Sequence, residues 1–297
     1  MKDVVEIVDK TFQGLGEGTV INPTKVNLDL GETADYPSYK GFMNAMPAYV
    51  GWLDSAGIKW AGGFLGERRE LGLPYVTSMI LLIDPKIGNF KAAMDGAHIT
   101  NMRTGAQAAV CMKYLHKEKN IKIGLFGAGM QGHTQTMAMA EVFDIEELRV
   151  DMKDVVKGEI IVCDTQEEAA KGDVIVCFTQ SKDKFIKDEW IKPGMVLLPM
   201  GSYQECEDNF ILNADKLIVD HIGQCMHRGA LAELSEKGKI TEANIYSTIG
   251  EIACGKKVGR ESDKERILCL PIGTGCMDIA VATVVYQRAL EKGMENK

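Results

Sequence analysis

Two groups of residues in this sequence have types and spacings that could do chemistry. The first is the stretch "IKIGLFGAGMQGH", Ile121 to His133, which places Gly127, Gly129 and Gly132 in G-x-G-x-x-G spacing after an apolar run and before a helical one. In that context the first glycine permits a tight turn, the second lets the backbone approach a pyrophosphate, and the third lets helix and strand pack closely. The helix start at Met130 and Gln131 would then offer unpaired N–H groups and the positive end of a helix dipole to the phosphates. A purely structural glycine turn is the alternative reading of the same residues.

The second group is Lys59 and Arg103. Lys59 lies in "AGIKWAGGF", where small and apolar neighbours imply burial, and a buried lysine must find a partner or lose its charge. Arg103 lies in "HITNMRTGAQAA", read here as just ahead of a helix beginning near Thr104, so that guanidinium and helix end together would hold an anion. Snorkelling of Lys59 to solvent and a structural ion pair for Arg103 are the alternatives. A dinucleotide site also calls for an acidic residue about 20 residues after the glycine turn, to bind ribose hydroxyls. Asp151, after "ELRV", has that place and favours NAD, while Lys153 and Lys157 nearby would suit the 2′-phosphate of NADP.

These residues must be positioned by a chain of 297 residues with 45% hydrophobic content, long enough for two domains. Residues 1 to 20 read as a helix ending in "QGLGEG". A mostly β region follows, with Asp84 to Asn89 as the turn of an antiparallel hairpin. After the Ala-rich "TGAQAAVCMKYLHKE" helix come short apolar runs at Ile121–Phe126, Leu148–Val150, Ile160–Cys163, Val174–Phe178, Met195–Leu198 and Leu217–Val219. Short apolar strands alternating with helical segments predict an α/β fold with a mainly parallel sheet covered on both faces. Only nine residues separate Val150 from Ile160, short for a parallel crossover. "MDIAVATVVYQRALEKGM" reads as a last helix packing back on the first region.

Composition narrows the function classes. With 34 basic and 42 acidic residues the net charge is -8, and no Lys/Arg run could track a phosphate backbone, which argues against nucleic acid and anionic membrane as partners. No apolar run approaches the roughly 20 residues of a bilayer span. Eight cysteines are scattered without a C-x-x-C pair, as expected of reduced thiols in a cytoplasmic protein, and His221 and His227 lack ligand-spaced neighbours, so no metal site is expected.

The segments "NAMPAYVGWLDSAGIKWAGGF", "GLPYVTSMILLIDPKIGNFKAAMDGAHITNMRTGAQAAV", "GLFGAGMQGH" and "EIACGKKVGRESDKERILCLPIGTGCMDIAVATVVYQRA" resemble, in that order, the ornithine cyclodeaminase and mu-crystallin family over nearly the whole chain. The resemblance implies a Rossmann-type dinucleotide-binding domain, 114–274, inserted in a mixed α+β substrate-binding and dimerisation domain, 1–113 plus 275–297. It implies a homodimer, NAD or alternatively NADP as cofactor, and a small amino or imino acid as substrate. Lys59 and Arg103 match the family's substrate-site Lys and Arg. Gly127 to Gly132 match its cofactor loop, Thr179 and Gly201-Ser202 its nicotinamide side, and Pro271-Ile272-Gly273 the Ser-Val-Gly that ornithine cyclodeaminase has near its substrate.

Three departures bear on the reaction. Tyr203 in "MGSYQ" stands where ornithine cyclodeaminase carries its catalytic aspartate. Asp35, with only Lys40 nearby, stands where a second arginine is expected roughly two dozen residues before Lys59. The third is the short crossover. Asp220, ending "KLIVD", is read as a strand-end cap. The resemblance thus implies an NAD(P)-dependent oxidoreductase acting on a C–N bond, with a cyclodeaminase-type ammonia lyase or a non-catalytic nucleotide-bound carrier as alternatives.

Overall fold

The structure, a computed structural model, describes residues 1–149 and 159–294. The chain groups into two units, one of Met1–Gly16 with Thr104–Gly273 and one of Glu17–Arg103 with Thr274–Lys297.

The second unit is built on a six-stranded antiparallel sheet of β1 (Val20–Ile21), β2 (Val26–Leu30), β3 (Gly41–Val50), β4 (Ser55–Phe64), β5 (Val76–Ile83) and β6 (Phe90–Asp95). Its order is β1-β3-β4-β5-β6, with β2 also paired to β3. Side chains alternate between faces with the period of two that a strand imposes. Met46, Ala48, Lys59, Ala61, Ile80 and Leu82 are buried on one face, over which the C-terminal helix Gly275–Glu291 packs against β3, β4 and β5. Close approach depends on Gly275, where a Cβ would lie 2.6 Å from the carbonyl oxygen of Met46. Deeper along the helix, the hydroxyls of Thr283 and Ser55 meet at 2.8 Å.

The opposite face carries the cross-strand row Val26, Ala45, Trp60 and Met79. Trp60 and Met79 are 53% and 50% exposed and Val26 69%, so this apolar row has no cover among the described residues.

The first unit holds an eight-stranded sheet of β7 (Asn120–Phe126), β8 (Asp144–Arg149), β9 (Glu159–Ile161), β10 (Val174–Cys177), β11 (Val196–Pro199), β12 (Lys216–Val219), β13 (Ser247–Thr248) and β14 (Ile267–Leu270). Every pairing is parallel, in the order β13-β12-β14-β11-β10-β7-β8-β9. β10, β11, β12 and β14 are buried throughout, as expected of strands covered on both faces. β8 and β9 pair in parallel across the short crossover, and its residues 150–158 lie outside the described residues.

Two expectations are corrected. β13 and β14 were not anticipated, and β14 lies between β11 and β12, a placement out of chain order that local pattern cannot reveal. The central helix starts at Ala97 rather than near Thr104, which puts Arg103 two turns inside it, away from the helix end. The start is set by Asp95, whose carboxylate accepts the N–H of Ala97 at 2.7 Å. Such capping overrides the strand-like His98-Ile99-Thr100.

Candidate functional site

In the parallel-sheet unit the chain leaves β7 for β8 and β9 on one side and returns to β10 on the other, so β7 and β10 flank the point where strand order reverses. Open α/β sheets bind ligands beyond the carboxyl ends of the strands at such a point. Gly127 follows β7 with φ +103°, and a Cβ there would lie 2.6 Å from the carbonyl oxygen of Phe178, which follows β10. Gly132 faces the carbonyl of Gly127 so closely that any side chain would collide with it. Gly129 differs from both: a Cβ there would meet nothing within 4 Å. It is the N-cap of the helix Met130–Val142, and as a glycine it brings no side chain to cap that end. Two glycines therefore close the turn, and the third leaves open space at the helix N-terminus, which fits a pyrophosphate. Met130, 64% exposed, opens the helix, and Gln131 follows it.

Thr179, beyond β10, and Gly201, beyond β11, are joined by a residue that sequence reasoning missed. Glu205 accepts both the N–H and the hydroxyl of Thr179 on Oε1, at 2.9 and 2.5 Å. Burial raises its pKa above the usual carboxylate range, and its Oε2 has no partner among the described residues. A Cβ on Gly201 would lie 3.3 Å from the carbonyl oxygen of Thr179 and 3.5 Å from Glu205 Oε2. Ser202 accepts a hydrogen bond from Arg228 at 2.7 Å. Tyr203 lies under the Lys182 ammonium, 5.6 Å from the ring centroid. Asp220 accepts the N–H of Gly273 at 2.7 Å and the thiol of Cys225 at 3.5 Å, which ties the end of β12 to the segment after β14. Gly229 brings Ile272 to the same place, its Cβ position lying 3.2 Å from that side chain and 3.5 Å from the carbonyl of Gly201. Asp151, Lys153 and Lys157 lie outside the described residues.

The antiparallel unit brings Lys59 and Arg103 together through Asp278 of the C-terminal helix. Lys59 Nζ lies 2.7 Å from Asp278 Oδ2, and Arg103 Nε lies 2.9 Å from Oδ1. The three side chains are 2%, 7% and 0% exposed. Thr100, one turn before Arg103, adds a hydroxyl 3.5 Å from Oδ1. Burial, followed by the charge of Arg103, lowers the Lys59 pKa to about 7 against the opposing pull of Asp278. With both cations charged the cluster carries one net positive charge in an apolar interior, which suits one monocarboxylate. Lys59 is also poised to gain or lose a proton near neutrality.

Asp278 was also missed, although a signal was present: it is the lone acid in "GCMDIAVATVVY", and a carboxylate amid such neighbours must be buried and paired. Asp35 and Lys40, where the resemblance leads one to expect a second arginine, are both exposed. A cavity of about 530 Å³, lined by His116, Asp173, Trp190 and Met195, sits at the amino ends of β7, β10 and β11, away from the glycine turn. Among the described residues, no group of three His, Cys, Asp or Glu could hold a metal ion.

Replacing Asp278 with Asn should leave two buried cations without a counter-charge and destabilise the fold by about 3–5 kcal/mol in urea unfolding. Adding Lys59→Met to that variant should restore part of the loss. Equal stability of Asp278→Asn and the parent protein would show that the cluster is not ionised as described.

A family model described as "Ornithine cyclodeaminase/mu-crystallin family" matches residues 1–293. An alanine dehydrogenase of Archaeoglobus fulgidus is 33% identical over 312 aligned positions, covering 100% of this chain and 93% of that protein. A Δ1-pyrroline-2-carboxylate reductase of Thermococcus litoralis, solved with NADH and L-proline, superposes with a TM-score of 0.88 at 30% identity, covering 99% of this chain and 94% of the other. An archaeal alanine dehydrogenase dimer with bound NAD gives 0.87 at 32% identity, covering 99% and 93%. The glycine turn at a strand-order reversal, the separate antiparallel sheet and this full-length similarity agree: the chain belongs to the ornithine cyclodeaminase/mu-crystallin family.

Proposed function

We propose that this protein is an NAD-dependent oxidoreductase acting on the C–N bond of a small amino or imino acid. The parallel-sheet unit takes the dinucleotide and the antiparallel unit takes the substrate. The observation that carries the reading is the buried Lys59–Asp278–Arg103 cluster, a monocarboxylate receptor in a chain that also holds an open, uncapped dinucleotide turn. The similarity to an alanine dehydrogenase and a pyrroline-2-carboxylate reductase supports the substrate class. Tyr203, in place of the cyclodeaminase aspartate, favours net oxidoreduction over cyclodeamination.

A bound nicotinamide supplies the hydride donor or acceptor for the substrate carbon. The chain's own residues do the rest. Arg103, held through Nε by Asp278, sets its guanidinium charge beside the carboxylate and fixes the substrate's orientation. Lys59 neutralises the same carboxylate and holds the proton that moves to or from nitrogen or a water. Glu205 fixes Thr179, and with it the chain beside the nicotinamide.

We also infer a homodimer through the apolar row of Val26, Trp60 and Met79, and a cytoplasmic location, which the eight free cysteines support. Among the described residues, no helix is long and apolar enough to cross a membrane.

Three measurements test this reading. Gly129→Val should weaken NADH binding more than tenfold in calorimetry while unfolding stays unchanged, since its Cβ meets only open space. Unaltered NADH affinity in the folded variant would remove the dinucleotide site. A Lys59 ammonium near pKa 7 is present below that pH and lost above it. Reductive turnover should therefore fall about tenfold per pH unit above neutrality, oxidative turnover should rise with pH, and Lys59→Met should flatten both profiles. Profiles that keep the same inflection in Lys59→Met would assign the proton elsewhere. Trp60→Glu should shift the sedimenting species from dimer to monomer, and an unchanged dimer would move the interface off this face.

A further inference from the structure

On the covered face of the antiparallel sheet, the polar side chains next to the cluster are nearly all committed. Lys59 is paired with Asp278, Ser78 lies 3.3 Å from the hydroxyl of Thr100, and Ser55 is bonded to Thr283. Asn44 is the exception. It sits in the middle of β3 at 6% exposure, and its Oδ1 is enclosed with no hydrogen-bond partner among the described residues. Folding that leaves an amide oxygen buried and unpaired is unfavourable, because water served it in the unfolded chain.

The register places this amide beside the carboxylate receptor. Asn44 pairs with Ala61 across the β3–β4 ladder, and Ala61 with Ser78 across β4–β5, while the next row on the same face is Met46, Lys59 and Ile80. Asn44 and Lys59 are therefore diagonal neighbours, about 7–8 Å apart. Between Asn44 and Ser78 the row holds only the methyl group of Ala61.

We infer that Asn44 recognises the substrate's side chain, and that the substrate is a short amino or imino acid whose side chain ends in a hydrogen-bond donor: a hydroxyl, an amide or an amine. This rests on the proposal that Lys59 and Arg103 hold the carboxylate. With the carboxylate there, the diagonal spacing of about 7–8 Å to Asn44 matches the span of a side chain of two to three atoms. An apolar side chain leaves that oxygen bare, whereas a donor satisfies it. Sites built to bond a donor discriminate strongly against analogues that lack one.

The test uses the whole NADH-loaded protein and two pairs of similar shape, L-homoserine against L-norvaline and L-asparagine against L-leucine. Binding is measured by calorimetry. Turnover is followed by nicotinamide absorbance, with the amino acids and NAD+ in one direction and their 2-oxo acids, ammonia and NADH in the other. The donor-bearing member of each pair should bind about tenfold to a hundredfold more tightly. Asn44→Leu should erase that difference, leave NADH affinity unchanged, and keep or raise the stability of the ligand-free protein, since it removes an unpaired amide. A structural role for Asn44 would instead lower that stability and leave the discrimination in place.

Equal affinities within each pair, or a preference that survives in Asn44→Leu, would overturn the inference. So would failure of all four amino acids to bind. Turnover without discrimination would overturn this subsite and leave the oxidoreductase reading standing. Discrimination in binding without any turnover would do the reverse.

Discussion

The buried carboxylate of Asp278 is the constraint on which the antiparallel unit depends. One side chain, with no solvent exposure, meets a lysine from the sheet and an arginine from the central helix on its two oxygens. Removing Asp278 leaves two cations uncompensated in an apolar interior, where ionised groups persist only in company, whereas removing either cation leaves a neutral pair. The same cluster fixes where the C-terminal helix sits on β3, β4 and β5, because the helix must deliver Asp278 to both cations. Gly275 and the Thr283–Ser55 contact follow from that seating. Structure and chemistry here are not separable: the interaction that docks the helix also sets the net charge of the buried cluster.

The parallel unit solves a different problem. Its glycine turn after β7 carries no cation, and Gly129 at the start of the Met130 helix brings no capping side chain. The loops beyond β10 and β11 are then drawn together by one buried carboxyl, Glu205, and the segments after β12 and β14 by another, Asp220. The carboxyl ends of the central strands thus form a bonded rim.

Much of this was legible in the sequence. The glycine spacing between an apolar run and a helix marked the turn after β7, because Gly127 and Gly132 each answer a local steric demand. The short apolar runs marked β10, β11 and β12 most sharply, because a strand buried on both faces leaves little choice of residue. Lys59 and Arg103 stood out by their type and neighbours. Their meeting point did not, since Asp278 is 175 positions from Arg103 and the contact follows from the tertiary fold. The start of the central helix was misplaced because a single Asp95 cap outweighs three residues of strand-like preference. Glu205 looked like one more acid in "QECED", and only the topology shows that it turns inward.

The position of β14 has a consequence for how the chain reaches this state. That strand, Ile267–Leu270, sits inside the parallel sheet, and the helix covering the antiparallel sheet begins five residues later, at Gly275. During synthesis from the amino end, neither unit can be completed until the last tenth of the chain has left the ribosome tunnel. Until then β11 and β12 lack the strand between them, and both faces of the antiparallel sheet are open to water. Domains usually complete themselves in order of emergence. Here the two units wait for the same short segment, so a nascent chain halted before it presents two unfinished sheets at once, the kind of exposed apolar surface that chaperones bind.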